Sequence, residues 1–193
     1  SLGDGGIATL TFNGEIYNGV GADFAVFENS FDGLFLELAF VEVSSDGINF
    51  FRFNASSLTD TTTQIGSFGV LDATNLNNLA GKYKAQYGTP FDLNELAGIA
   101  GLDINHITHI RIIDVVGSLN NSFATYDAQN RKINDPYPTA FATGGFDLDA
   151  VGVIHFNAVG INDTPRHTII TQLYPNPVSN ILNVKLANNK ATS

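Results

Sequence analysis

A chain of 193 residues that is 44% hydrophobic and 15% charged can bury a sizeable core, and it lacks the charge excess of a disordered chain. Its formal net charge is −10, and nine scattered Lys and Arg do not make the basic stripe that nucleic acid requires. Cys is absent, which excludes disulfides, thiolate metal sites and a Cys nucleophile. The surplus of carboxylates favours a hard cation, Ca²⁺ above all. Met is also absent, so Ser1 is not a translation start. The chain reads as a processed or truncated piece, with any signal peptide outside it. No apolar run reaches the roughly 18 residues that cross a bilayer, so no membrane span is expected.

In chain order, residues 6–12 read as a first strand and Asn13-Gly14 as a turn. Residues 22–27 read as a second strand. The run 35–44 is apolar at both parities, the pattern of a strand covered on both faces. Asp46-Gly47 then turns the chain into the aromatic strand 49–53, a hairpin signature. The stretch 54–92 is long and polar, the kind of connection that is functional or mobile. Asp92 followed by Glu95 has the form of a helix cap, which predicts one or two helical turns over 92–97. Residues 106–116 predict a central strand, 118–144 a second long loop, and 146–156 the closing strand. Six or seven strands with at most one short helix predict an all-β fold: an antiparallel β-sandwich or jelly roll with long loops. The expected organisation is a sandwich over 1–157, a linker over 158–172 and a different small unit over 173–193.

Two segments carry resemblances. The tail Leu173-Tyr-Pro-Asn-Pro-Val-Ser-Asn-Ile-Leu-Asn-Val-Lys-Leu186 resembles the start of the type A C-terminal sorting domain of the type IX secretion system. That resemblance implies handling by the secretion machinery of a Bacteroidetes bacterium and an extracellular or cell-surface destination on a Gram-negative cell. A complete sorting domain would continue past Ser193. The hairpin Val41-Glu-Val-Ser-Ser-Asp-Gly-Ile-Asn-Phe-Phe-Arg-Phe53 is similar to one in galactose-binding-like jelly rolls, including discoidin-type and carbohydrate-binding modules. Residues 21–153 also resemble a bacterial cell-surface family, through segments 21–29, 133–139 and 144–152. This last resemblance implies association with TonB-dependent uptake systems, including corrinoid ones.

The acids are the first candidates for chemistry. Asp23, Glu28, Asp114, Asp127, Asp135, Asp147 and Asp149 sit at strand ends or in adjoining loops. Asp147 and Asp149 share a strand face, where two like charges repel unless a cation lies between them. Asp23, Glu28, Asp127, Asp135, Asp147 and Asp149 are therefore the candidate ligands of a structural Ca²⁺. The loop 127–135 offers oxygen ligands but lacks the Gly and terminal Glu of an EF-hand. The competing reading is that these Asp residues cap turns by accepting backbone N–H groups. Glu28, Glu37 and Glu42 are the only glycosidase-type candidates, and Glu37 and Glu42 have opposite strand parity. His106 and His109 point to opposite faces of a strand, which argues against a zinc pair. His155 and His167 belong to no motif. Ser67 lacks a nucleophile elbow, and Gly3-Asp-Gly-Gly6 is no nucleotide-binding loop. No catalytic residue is assigned.

The tyrosines fall in the long loops. Tyr83, Tyr87, Tyr126 and Tyr137 are candidate ligand-binding residues, since each ring offers a flat apolar face and a polar tip. The other reading is that they pin the loops to the body. The expected function is a secreted, calcium-stabilised cell-surface module that binds a glycan and is not an enzyme. The alternatives are capture of a small nutrient such as a corrinoid (cobalamin) for a TonB-dependent outer-membrane transporter, a glycoside hydrolase, and a structural or adhesive surface protein.

Overall fold

The computed structural model describes residues 1–140, 144–158, 169–174 and 183–187. The chain forms two compact units, Ser1–Val159 and Gly160–Ser193. In the first unit every strand pairing is antiparallel. One sheet has five strands: β1 (Ile7–Ile16), β3 (Ala39–Ser44), β4 (Phe51–Arg52), β8 (Ile107–Asp114) and β10 (Phe156–Ala158), in the order β10-β1-β8-β3-β4. The second has three, β2 (Phe24–Glu28), β7 (Thr89–Phe91) and β9 (Leu148–Val153), in the order β7-β2-β9. A small ribbon pairs β5 (Ser56–Ser57) with β6 (Leu76–Asn77). The fold is the expected all-β sandwich. Among the described residues no helix is long and apolar enough to cross a membrane.

Alternation with a period of two builds the core. Phe24 and Val26 of β2, Ala39, Val41 and Val43 of β3, and Ile110 and Ile112 of β8 all point into one cluster between the two sheets. Phe24, Phe53 and Phe91 meet at its centre with ring centroids 4.9–5.9 Å apart. Each buried ring contributes about 2–3 kcal/mol of burial energy. The opposite parity of the same strand serves a second core: Phe40 joins Leu36, Leu38, Leu71, Leu76, Leu79, Val115 and Ile133. The two-sided apolar pattern of 35–44 is thus explained, because loop residues 54–80 cover the back of the five-stranded sheet.

Several local readings change. The closing strand expected over 146–156 is two strands, β9 and β10, which join different sheets. Asn13-Gly14 does not turn the chain. It lies inside β1, which continues to Ile16 through a register shift after Thr11. Gly14 is needed because β10 approaches so closely that a Cβ would collide with the Asn157 carbonyl. The strand expected from residue 35 begins at Ala39. The helix at 92–97 is a single 3₁₀ turn, Leu93–Leu96. Asp92 caps it by accepting the Asn94 N–H at 2.9 Å, but Glu95 bonds Asn78 instead of closing a capping box.

In the second unit β11 (Ile169–Tyr174) pairs antiparallel with β12 (Asn183–Ala187), with Tyr174 opposite Asn183. β11 opens inside the stretch read from sequence as a linker. Residues 175–182 of the sorting-domain-like motif lie outside the described residues, as does His167.

Candidate functional site

Strand parity delivers carboxylates to one end of the sandwich. In β2 the inward positions run Phe24, Val26, Glu28; in β8 they run Ile110, Ile112, Asp114. The final inward residue of each strand is therefore an acid. Ala39, the first residue of β3, pairs with Asp114, so Glu37 just before β3 lies at the same end. Leu148, at the start of β9, pairs with Glu28, which brings Asp147 alongside. Asp135 arrives from the long loop after β8, where its carboxylate Oδ2 accepts the Leu38 N–H at 3.3 Å.

The electrostatics follow from burial. Glu28 and Asp135 are each only 3% exposed. Burial, then the nearby Glu37 carboxylate, pushes Glu28 up to about 8. Burial likewise raises Glu37 to about 7 against a hydrogen bond from the Gly145 N–H, with Asp147 and Asp114 adding to the rise. Asp114 is pushed up to about 6 by burial, although it accepts the Phe146 N–H at 2.7 Å and the Gly5 N–H at 2.9 Å. Burial drives Asp135 well above the carboxylate range, and Asp114, Glu37 and Glu28 reinforce it. Two buried oxygens, Glu28 Oε2 and Asp135 Oδ1, have no hydrogen-bond partner. Among the described residues no Lys or Arg pairs with any of these four acids. Nor, among those residues, do three or more Asp, Glu or His side chains form a ready arrangement for holding a metal.

The other candidate calcium ligands are placed differently. Asp23 accepts the N–H groups of Gly19 and Leu93 and faces His155 Nδ1, each at 2.7 Å. Asp127 accepts from Ser57, Gln129 and Arg131 backbone N–H groups and pairs with the Arg131 guanidinium. Burial works against its charge, but the Arg131 contact and these bonds outweigh it and hold the carboxyl below its usual range. Asp127 caps its own turn through Gln129 and Arg131, whereas Asp23 ties together the Gly19 and Leu93 backbones. Asp147, half-exposed, pairs with the Ser1 amine at 3.1 Å, and Asp149 is exposed on β9. From sequence, Asp114 is one acid among several and Glu37 only a glycosidase-type candidate. Parity after Ile110 and Ile112 is the signal that points to Asp114; Glu37 has none, because it lies outside the strand.

The loop tyrosines distribute over separate places. Tyr83 lines a small cavity with Asn77, Asn78, Lys82, Thr89 and Pro90. Tyr87 is exposed, and Tyr137 is half-buried with its N–H on the Ile65 carbonyl. Tyr126 borders a cavity of about 350 Å³ shared by residues of two segments, Phe40 and 52–55 on one side and 127–128 on the other. The two long loops meet there, with the Ala128 N–H on the Ala55 carbonyl at 2.9 Å. Cross-strand register places Glu42 opposite both Arg52 and Arg111. Arg52 donates Nε and Nη2 to Glu42 Oε1 at 2.9 and 2.8 Å, and its guanidinium lies 4.1 Å over the Phe40 ring. Among the described residues no acceptor takes Arg52 Nη1, and the Asn54 amide and Tyr126 hydroxyl have no hydrogen-bond partner. Comparison with known proteins gave no match among family models, curated proteins or solved structures.

Proposed function

We propose that this protein is an extracellular ligand-binding module and that its ligand is a glycan, held in the cavity between β4 and the 126–128 loop. The observation that carries the reading is the pairing there of aromatic surface with unspent polar groups. Tyr126, a residue 40% exposed, borders the cavity with its aromatic side chain, while Arg52 Nη1, the Asn54 amide and the Tyr126 hydroxyl remain for sugar hydroxyls. A sugar ring needs this combination: an apolar face to stack its C–H groups and planar donors at its edge. The cavity of about 350 Å³ falls in the range of about 300–1,000 Å³ typical of small-ligand sites.

The acids nearby support binding over hydrolysis. A glycosidase needs two carboxyl groups free to move protons across the scissile bond. At this cavity Asp127 is engaged by Arg131, and Glu42 by Arg52 and Arg111. The sorting-domain resemblance of the tail supports a cell-surface destination reached through type IX secretion.

The test is a glycan array probed with the full chain in Ca²⁺, with cobalamin measured alongside by equilibrium dialysis. Tyr126→Ala and Arg52→Ala are expected to weaken the best glycan at least tenfold, about 1.4 kcal/mol, without loss of fold. Retention of cobalamin without any glycan signal would replace this reading with corrinoid capture. Binding of neither would leave the adhesive reading in its place.

A further inference from the structure

We propose that Glu28, Glu37, Asp114 and Asp135 form the site of one hard divalent cation, Ca²⁺ by preference, which clamps the ends of β2 and β8 to the segments that carry Glu37 and Asp135. The inference deepens the calcium expectation drawn from composition and re-draws its ligand set. It does not depend on the glycan reading.

Three observations converge. First, the acids come from four separate chain segments and meet at one end of the sandwich, so their proximity is built by the fold and not by local sequence. Second, no Lys or Arg among the described residues pairs with any of the four, and the one cation nearby, the Ser1 amine, pairs with Asp147 and only weakly offsets the charge at Glu37. Buried carboxylates without a cationic partner repel one another and are expensive to keep out of water. Third, Glu28 Oε2 and Asp135 Oδ1 are buried with nothing to bond. Both side chains belong to residues only 3% exposed, so bulk water does not meet that need.

An all-oxygen donor set without His or Cys selects a hard cation, and Ca²⁺ tolerates irregular geometry better than Mg²⁺. The four side chains do not stand in a ready coordination arrangement. The ion would draw in the two unbonded oxygens by side-chain rotation and complete its six to eight ligands with backbone carbonyls and water. The hydrogen bonds that already fix Glu37 on Gly145 and Asp114 on Phe146 orient those two carboxylates from behind. Asp147, half-exposed and paired with the Ser1 amine, is peripheral to this set.

The test uses the full chain, stripped with a chelator and titrated with CaCl₂ by calorimetry, together with melting curves with and without Ca²⁺. The expected result is about one Ca²⁺ per chain, a higher melting midpoint on loading, and weaker Mg²⁺ binding. Glu28→Gln and Asp135→Asn keep side-chain shape and remove charge. Each is expected to lower Ca²⁺ affinity at least tenfold and, at alkaline pH where the carboxyls carry charge, to raise the metal-free midpoint because repulsion is relieved. Asp149→Asn, on the exposed face of β9, is expected to bind Ca²⁺ as the parent does. No heat and no midpoint change with Ca²⁺ or Mg²⁺ would overturn the site and leave a cluster that holds only protons. Full Ca²⁺ affinity in both Glu28→Gln and Asp135→Asn would overturn the ligand set.

Discussion

Asp23 shows what a single carboxylate does when the fold surrounds it with donors. It is fully buried, and it bonds the Gly19 and Leu93 N–H groups and His155 at once. Removing it leaves those donors unsatisfied, at about 1–3 kcal/mol each. Asp23→Ala is therefore expected to cost about 3 kcal/mol or more in urea unfolding, and a loss under 1 kcal/mol would contradict the geometry. His106 offers a second check. Its hydrogen bond to Glu15, and then the Glu15 charge, raise its pKa above the ordinary 6.5. A raised histidine favours the folded state below its unfolded pKa, and that contribution disappears as pH rises through the folded value. An NMR titration should find the His106 pKa raised in the parent and lower in Glu15→Gln than in the parent. The sequence marked Asp23, Asp127 and Asp135 as acids at turns but could not separate them. Whether such a residue meets N–H donors or other acids depends on segments up to about a hundred positions away, such as Asp135 against Leu38.

At the scale of elements, the legible features were those set by short-range periodicity. β2, β3, β8 and the Asp46-Gly47 hairpin all follow from alternation and turn chemistry within ten residues. The turn itself is fixed by Asp46, which accepts the Ile48 and Asn49 N–H groups at 2.8 Å. Asn13-Gly14 misled because its glycine answers to a neighbouring strand and not to a turn. The stretch 54–92 was opaque for a similar reason. Its short pieces, β5, β6 and the 3₁₀ turn Ala73–Asn75, gain their stability by covering the back of the five-stranded sheet. Close approach of this kind is testable at two glycines. Gly81 (φ +84) and Gly98 (φ +80) both have left-handed backbone, but only at Gly81 would a Cβ strike the Glu37 carbonyl oxygen. Gly98→Ala is expected to cost about 1 kcal/mol by denaturation and Gly81→Ala at least twice that. Equal losses would mean that the 80–81 segment does not pack on residue 37.

At the scale of the molecule, a sandwich end lined with acids makes stability depend on pH and on cations together. In chelated protein, Glu28, Glu37 and Asp114 hold protons up to about 8, 7 and 6, above their unfolded values. The unfolded chain releases those protons first, so the folded state binds more of them. Stability from this source is complete below about pH 4 and is lost as pH rises through the folded values. The melting midpoint of chelated protein should fall by about 5 °C or more between pH 5 and 8. Saturating Ca²⁺ should flatten that slope, and an identical slope with and without Ca²⁺ would count against the clamp.

The claim on which the functional account turns is that a glycan occupies the cavity at Tyr126. The most direct measurement is a thermal melt of the full chain in saturating Ca²⁺ against a glycan panel and cobalamin. Binding to the native state alone raises the midpoint, by the equivalent of about 2.7 kcal/mol when ligand is at about a hundred times its Kd. The account predicts a rise with at least one glycan, no rise with cobalamin, and loss of the glycan effect in Tyr126→Ala. A midpoint that no glycan moves, or a glycan effect that survives Tyr126→Ala unchanged, would contradict it.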